Sequence, residues 1–249
     1  MRLFIITILL FSFKLDAFSK GPLNTITFNL QCTKNNWEFR LNKVLNQIVK
    51  INPDVISFQE LCVNEDEDMI SFIRDGLLKR KYPLKSIEAK FTHLAWDKYK
   101  EYIAIFSKRK FENTVKGFLP ESPLQRSYVG VLLNDLWYFN THLEHKLDYA
   151  KYRYQQINYL INKFKNKHHI IMGDFNSEPG AREQKPFDQS DYSEFFAGPT
   201  RPSHKPEKAI DGFWISPSLK RKVTGFRVTR LFKRRHGGIH LSDHLGVYF

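Results

Sequence analysis

Four short apolar runs in this chain each end in an acid or an amide, and that repeated pattern limits the folds open to it. Residues 25–30 read TITFNL and carry Asn29; residues 55–60 read VISFQE and close on Glu60. Further on, IIMGDFN ends in Asp174 and Asn176, and LSDH supplies Asp243 and His244. A short apolar run bounded by polar residues suits a strand buried on both faces. Between the runs the period changes. Leu41, Val44, Leu45, Ile48 and Ile51 recur at helical spacing over 38–51, up to Asn52-Pro53, where proline ends the helix. A second helix is expected through Met69, Phe72, Ile73 and Leu77, and a third through Ala150, Tyr154, Ile157, Ile161 and Phe164. Strands are expected at 25–30, 54–59, 102–107, 128–133, 136–140, 169–173, 210–216, 223–232 and 245–249. No low-complexity linker divides the chain, so one mixed α/β domain over 20–249 is the economical reading.

Polar groups at the ends of buried strands meet at one edge of a sheet, where α/β proteins bind ligands. Carboxylates gathered there repel one another unless a cation neutralises them. Oxygen donors without a Cys/His set point to a hard cation such as magnesium or calcium rather than zinc. Taken singly, an Asp that closes a strand is more often a turn residue than a ligand. Four such ends in one chain are hard to explain as turns.

In order and spacing these motifs resemble the endonuclease/exonuclease/phosphatase superfamily, the deoxyribonuclease-I-like fold, from TFNL to SDHLGVYF. The resemblance implies a four-layer α/β sandwich, two packed mixed β-sheets flanked by helices. It also implies hydrolysis of a phosphate ester with a divalent metal, Mg2+ first and Mn2+ or Ca2+ as substitutes, and no organic cofactor. Carried over position by position, Glu60 looks like the principal metal ligand, assisted by Asn29 and Asp243. Asp174 and Asn176 look like the groups that orient the attacking water and the phosphate. His244 resembles the catalytic histidine, with Asp211 of IDGFWIS holding its imidazole; such a carboxylate fixes the tautomer and raises basicity at the other nitrogen. His142 with Glu101 matches a histidine–glutamate pair of deoxyribonucleases, sphingomyelinases and several phosphatases. Arg126 sits where deoxyribonucleases contact the scissile phosphate, and Arg153 belongs to an Arg-x-x-Gln pattern with Gln156, read as a phosphate contact or a solvated helix face. Either His244 with Asp211, or Asp174, is expected to take the proton from water, with His142 protonating the leaving oxygen. Most of the other histidines (His145, His168, His169, His204 and His236) read as residues of polar loops or helix ends, and His240 as a bystander beside the site.

The chain carries 39 Lys+Arg against 26 Asp+Glu, a formal charge of +13, which suggests an anionic partner. Eight of those bases lie between Lys220 and Arg235 with no acid among them. The segment leads into SDH, so Arg234 and Arg235 are expected to track a phosphate backbone beside the site; a solvated basic hairpin is the plainer reading. The acidic run Glu65–Asp68 reads as a helix start, favoured by the positive helix terminus, or as a calcium loop. The amino terminus pairs Arg2 with an apolar stretch at 3–13, too short at about 16 Å to span a roughly 30 Å bilayer core. With Ala17 and Ser19 following, residues 1–19 read as a signal peptide of a secreted or periplasmic protein. A buried first strand is the competing reading. In an oxidising compartment Cys32 and Cys62, each after a strand, form either a disulfide or two buried thiols.

These readings favour a secreted, monomeric endonuclease acting on DNA and, secondarily, RNA. A sphingomyelinase-type enzyme acting on membrane lipid would use the same site, although no obvious exposed aromatic hairpin stands out to enter a bilayer. A toxin or binding subunit that keeps the fold for association is the alternative of another class, and the completeness of the residue set argues against it.

Overall fold

The computed structural model describes residues 23–220 and 227–249. The expected signal peptide lies outside them, as does part of the expected strand 223–232. The chain runs β1 (Thr25–Asn29), α1 (Trp37–Ile51), β2 (Val55–Val63), α2 (Met69–Lys79), β3 (Ser86–Ala95), β4 (Tyr99–Ser107) and β5 (Asn113–Phe118). It continues through β6 (Ser127–Leu133), β7 (Leu136–His142), α3 (Ala150–Phe164), β8 (His169–Asp174), α4 (Lys185–Gln189) and β9 (Ser193–Phe195). The last elements are β10 (Asp211–Ile215), α5 (Pro217–Lys220), β11 (Thr229–Leu231) and β12 (Gly246–Tyr248). One six-stranded sheet has the order β11-β12-β1-β2-β4-β3, the other β5-β6-β7-β8-β10-β9. Both are mixed: β1 runs parallel to β2 and β7 to β8, while the remaining pairs are antiparallel.

Strand alternation builds the four layers. Ile56 and Phe58 of β2 pack with Leu41, Val44, Ile48 and Ile73 of the helices over the first sheet. Val55 of the same strand points the other way, into a core with Val129, Val131, Ile170, Met172 and Phe213 of the second sheet. A third cluster joins Phe139, Ile171 and Trp214 to Ile157, Leu160 and Phe164 of α3. The face of α3 differs from the expected one. Tyr154 is exposed, while Arg153 and Gln156 occupy inward positions.

Between the sheets a polar column interrupts the apolar core near the carboxyl ends of β1 and β2. Gln59 Nε2 faces Thr27 Oγ1, Ser57 Oγ and Asn140 Oδ1 at 2.8–3.1 Å, and Asn140 Nδ2 donates to the carbonyls of Phe58 and Ala104. Buried polar groups need such partners, and these bonds pin the two sheets at one end, although Gln59 Oε1 has no hydrogen-bond partner among the described residues. A disulfide joins Cys32 to Cys62 and ties the loop after β1 to the end of β2. Closing that loop stabilises the fold by about 3–4 kcal/mol on a chain-entropy argument.

His169 begins β8 and is fully buried, not part of a polar loop. Its Nδ1 lies 2.8 Å from the Lys167 carbonyl, which can only accept, so Nε2 takes the Tyr192 hydroxyl hydrogen at 2.7 Å. Burial depresses this imidazole to about 4. The folded state therefore binds the proton less readily than the unfolded chain. The resulting stability is complete above pH 6.5 and is lost as pH falls from there to 4, by about 3 kcal/mol. Urea unfolding of the wild type should show that acid limb, and His169→Gln should show a shallower one, because buried His142 contributes a limb of the same sign. Parallel limbs in the two proteins would show that His169 is not held neutral.

Candidate active site

Register alone brings three functional groups together. His142 ends β7 opposite Asp174 at the end of β8, and Asp174 lies opposite Asp211 at the start of β10. Gly173 makes that approach possible: its φ is 146°, and a Cβ there would collide with the Thr141 carbonyl oxygen. From the other sheet Asn29 at the end of β1 pairs with Gln59. Two β-bulges then aim side chains at the same point. Gln59 and Glu60 together face Ile103, with Glu60 in the left-handed region at φ 54°. Thr92 and His93 together face Glu101. Bulges beside active sites redirect side chains in this way. His244 precedes β12, whose antiparallel pairing with β1 delivers it to the edge where Asn29 stands.

The result is a cleft of about 350 Å³ whose walls include Glu60, Glu101, Arg126, His142, Asp174 and His244. Asp174 is its centre. Its Oδ2 accepts from Asn29 Nδ2 at 3.0 Å and lies 3.6 Å from both His142 Nε2 and His244 Nε2. Its Oδ1 accepts from the Asn176 backbone at 2.8 Å, and the Asn176 side chain is braced on the Leu143 carbonyl. His244 Nδ1 stands 2.9 Å from Asp211 Oδ2, which also accepts from buried Thr200 Oγ1 at 2.5 Å. Burial works against protonation of His244, but Asp211 and Asp174 outweigh it and raise the imidazole to about 10. His142 behaves oppositely. Burial, then the Arg126 charge, holds it well below its ordinary range. Arg126 Nη1 donates to His142 Nδ1 at 3.1 Å, so the neutral ring keeps its hydrogen on Nε2, toward Asp174. The dischargeable proton at neutral pH is thus on His244, not on His142.

Several expected positions differ in detail. Glu101 lies 3.6 Å from His142 Nδ1 and does not hydrogen-bond it; Arg126 occupies that nitrogen and sits 3.7 Å from Glu101. Arg126 does line the cleft, and its Nε has no hydrogen-bond partner among the described residues. Arg153 is neither a phosphate contact nor a solvated residue. It is buried, donates to the carbonyls of Glu144, Lys146 and Leu147, and pairs with Glu183 at 2.8 Å, so it braces a loop. Asn29 offers its amide hydrogens to Glu60 (2.9 Å) and Asp174, while its oxygen accepts from Gln31 N. Asp243 is partly exposed, lines the cleft and lies 3.4 Å from Arg201. Arg235 donates to His240 Nε2 at 2.7 Å, and His240 lines a second cleft of about 500 Å³ that shares Gln31 and Asp243 with the first. Arg234 is exposed. In the acidic run, Asp68 caps α2 by accepting from Ser71 N, as a helix start requires.

A metal fits this donor set. Burial and the neighbouring Glu101 push the Glu60 carboxyl up to about 7, the condition of an acid lacking a compensating cation. Asp174, Asp211 and His244 place ligand atoms within 4.8 Å of one another. The Asp211–His244 hydrogen bond already uses one atom of each, which leaves the Glu60 side of the cleft as the better cation position.

Residues 26–244 match the model of the Endonuclease/Exonuclease/phosphatase family. The chain belongs to that family. A family protein from Leptotrichia buccalis C-1013-b superposes with a TM-score of 0.74 at 16% identity, over 91% of this chain and 98% of that one. A family protein from Bacteroides vulgatus gives 0.67 at 17% identity, over 91% and 97%. D. rerio TDP2 in complex with a single-strand DNA product gives 0.67 at 16% identity, over 91% and 97%. No curated protein matches the chain by sequence. At these identities the structural likeness speaks for the fold, a two-sheet α/β sandwich.

Four contributors escaped the motifs. Arg40 is buried in α1 and gives its guanidinium hydrogens to the carbonyls of Leu30, Cys32, Lys34 and Leu241, clamping the loop after β1 to the SDH segment. Thr200 holds Asp211. His93 and Trp96, from the β3–β4 hairpin, line the cleft. That hairpin also overturns the expectation that no aromatic turn is exposed, because Leu94 and Trp96 stand out at its tip.

Proposed function

We propose that the chain is a secreted phosphodiesterase, dependent on magnesium, that cuts DNA and secondarily RNA by direct attack of water. The observation that carries this reading is the convergence of His142, Asp174 and Asp211 from three adjacent strands with His244 and Glu60 from the facing sheet. In the reaction a water oxygen bonds to phosphorus and the bond to the leaving oxygen breaks. Asp174, already facing N–H donors on both sides, takes the water proton, and His244 gives its Nε2 proton to the departing oxygen. Asp211 keeps the imidazolium in place, while His142 Nε2–H and Arg126 offer hydrogens to the phosphoryl oxygens. A divalent cation held by Glu60 and Asp243 supplies, when bound, further neutralisation of phosphoryl charge. Each positioned acid or base contributes about 10²–10⁴ in rate.

The formal charge of +13 and the placing of Arg235 beside the second cleft support a polyanionic substrate. The single-strand DNA product held by D. rerio TDP2 supports it too. The disulfide and the apolar amino terminus support secretion. A lipid substrate is the second reading, favoured by the exposed Leu94–Trp96 tip. Incubating the protein with plasmid DNA, RNA and sphingomyelin vesicles, with magnesium or with chelator, separates them. Metal-dependent nicking of DNA with intact lipid is expected. Phosphocholine release with untouched DNA would overturn the proposal.

A further inference from the structure

Leu94 and Trp96 are 56% and 55% exposed, which marks them out from the buried aromatic and aliphatic majority, and both line the catalytic cleft. Trp96 and Asp97 take left-handed backbone conformations (φ 50° and 52°), so the turn itself holds the indole out from the sheet. The ring is nevertheless anchored. It meets Tyr99 in a T-shaped contact, with centroids 6.2 Å apart at 87°, and the Tyr99 hydroxyl donates to Glu67 at 2.5 Å. Glu67 also accepts from Trp37 Nε1 at 2.8 Å. Lys34 Nζ lies 4.5 Å from the Trp96 ring centroid. The Lys34 backbone is fixed by two Arg40 hydrogen bonds to its carbonyl, close to the Cys32–Cys62 disulfide. An aromatic plate with an adjacent cation is therefore held at the rim of a phosphate-cleaving cleft.

We propose that Trp96, with Leu94 beside it, is a stacking platform for an unpaired nucleobase next to the scissile phosphate, and that Lys34 meets the neighbouring phosphate. Unpaired segments, including those that open transiently in supercoiled plasmid, are then preferred over intact relaxed duplex, whose bases are already stacked on one another. This inference rests on the nucleic-acid reading above. Several features favour a base over a bilayer. Only two large apolar side chains stand exposed at the cleft, and most of its other lining residues, among them Gln31, His145 and Arg201, are polar. A bilayer anchor needs a broad apolar face. Lys34 lies over one indole face, so the opposite face suits one base, and the cation suits the phosphate that each base carries.

The test is fluorescence anisotropy of a labelled eight-nucleotide thymidine strand with the full chain in chelator, so that bound strand is not cut. Stacking strengths of this kind correspond to a rise in Kd of about 5- to 150-fold for Trp96→Ala. Trp96→Phe, which keeps a ring, should stay within about threefold of wild type, and Kd for a blunt duplex should hardly move. Thermal melting of each variant confirms that the fold persists. Unchanged single-strand affinity in Trp96→Ala, or equal losses for single strand and duplex, would overturn the platform while leaving the nucleic-acid reading standing. So would loss of binding to sphingomyelin–phosphatidylserine vesicles with single-strand affinity intact, which would make the tip a membrane element. If the wild type bound no nucleic acid, both readings would fall together.

Discussion

Replacing His244 with alanine lowers kcat by about 10²–10⁴-fold, the range expected for a positioned proton donor, and leaves the fold intact by circular dichroism. The effect is large because two carboxylates act on this one ring. Asp211 accepts from Nδ1 at 2.9 Å, and Asp174 lies 3.6 Å beyond Nε2. Together they overcome burial and raise the imidazole to about 10. The sign of the pH dependence follows. The active form carries the proton, so activity persists through neutrality and falls as pH rises through the raised value. Asp211→Asn removes the nearer charge and should move the alkaline limb of kcat/KM toward neutrality. Thr200→Val, which loosens Asp211 without removing its charge, should shift the limb less. Full activity in His244→Ala, or an alkaline limb that ignores Asp211, would remove His244 from the role of acid.

The residues that meet at this edge were legible because burial and polarity conflict there. Asn29, Asp174 and Asp211 end or begin apolar strands and Glu60 sits in a bulge where the apolar run of β2 is broken, and a buried acid at such a place is costly unless a partner or cation meets it. The register that sets His142 against Asp174 follows from a parallel β7–β8 pair joined by α3, so the cluster and the sandwich were readable together. Edge strands were not. β3 is half-buried along most of its length and β5 exposes alternate residues at the rim of its sheet, so neither shows an apolar run. β9 spans three residues.

The misjudged residues share another cause. Arg153 and Gln156 sit inside α3, where a count of apolar residues places Tyr154, because hydrogen bonds rather than hydrophobicity meet the requirements of burial. The Arg153 partner Glu183 is 30 positions away, and nothing local announces it. Arg126 displaces Glu101 from His142 Nδ1 for a similar reason, a contact between strands made by one long side chain. The bulges at Glu60 and His93 are backbone decisions that place one extra residue against β4, and side-chain pattern carries no trace of them.

Asp174→Asn should be as damaging as loss of His244, with kcat again down by about 10²–10⁴-fold. The carboxylate offers two oxygens to four N–H groups: Asn29 Nδ2 and His142 and His244 Nε2 around Oδ2, and the Asn176 backbone at Oδ1. An asparagine has one oxygen. If that oxygen stays with Asn176, the new NH₂ faces three donors; if it turns toward Asn29, the Asn176 amide loses its partner. Either way the acceptor for the water proton is gone, and His244 loses one of the two charges that keep it protonated. The single changes therefore act on the same device, and His244→Ala with Asp174→Asn together should cost little more than either alone. The check is kcat on a short oligonucleotide, whose alkoxide leaving group needs the proton that His244 supplies. Multiplicative losses in the double variant would mean that the two groups serve separate steps, and that the 3.6 Å approach of Asp174 to His244 is proximity without coupling.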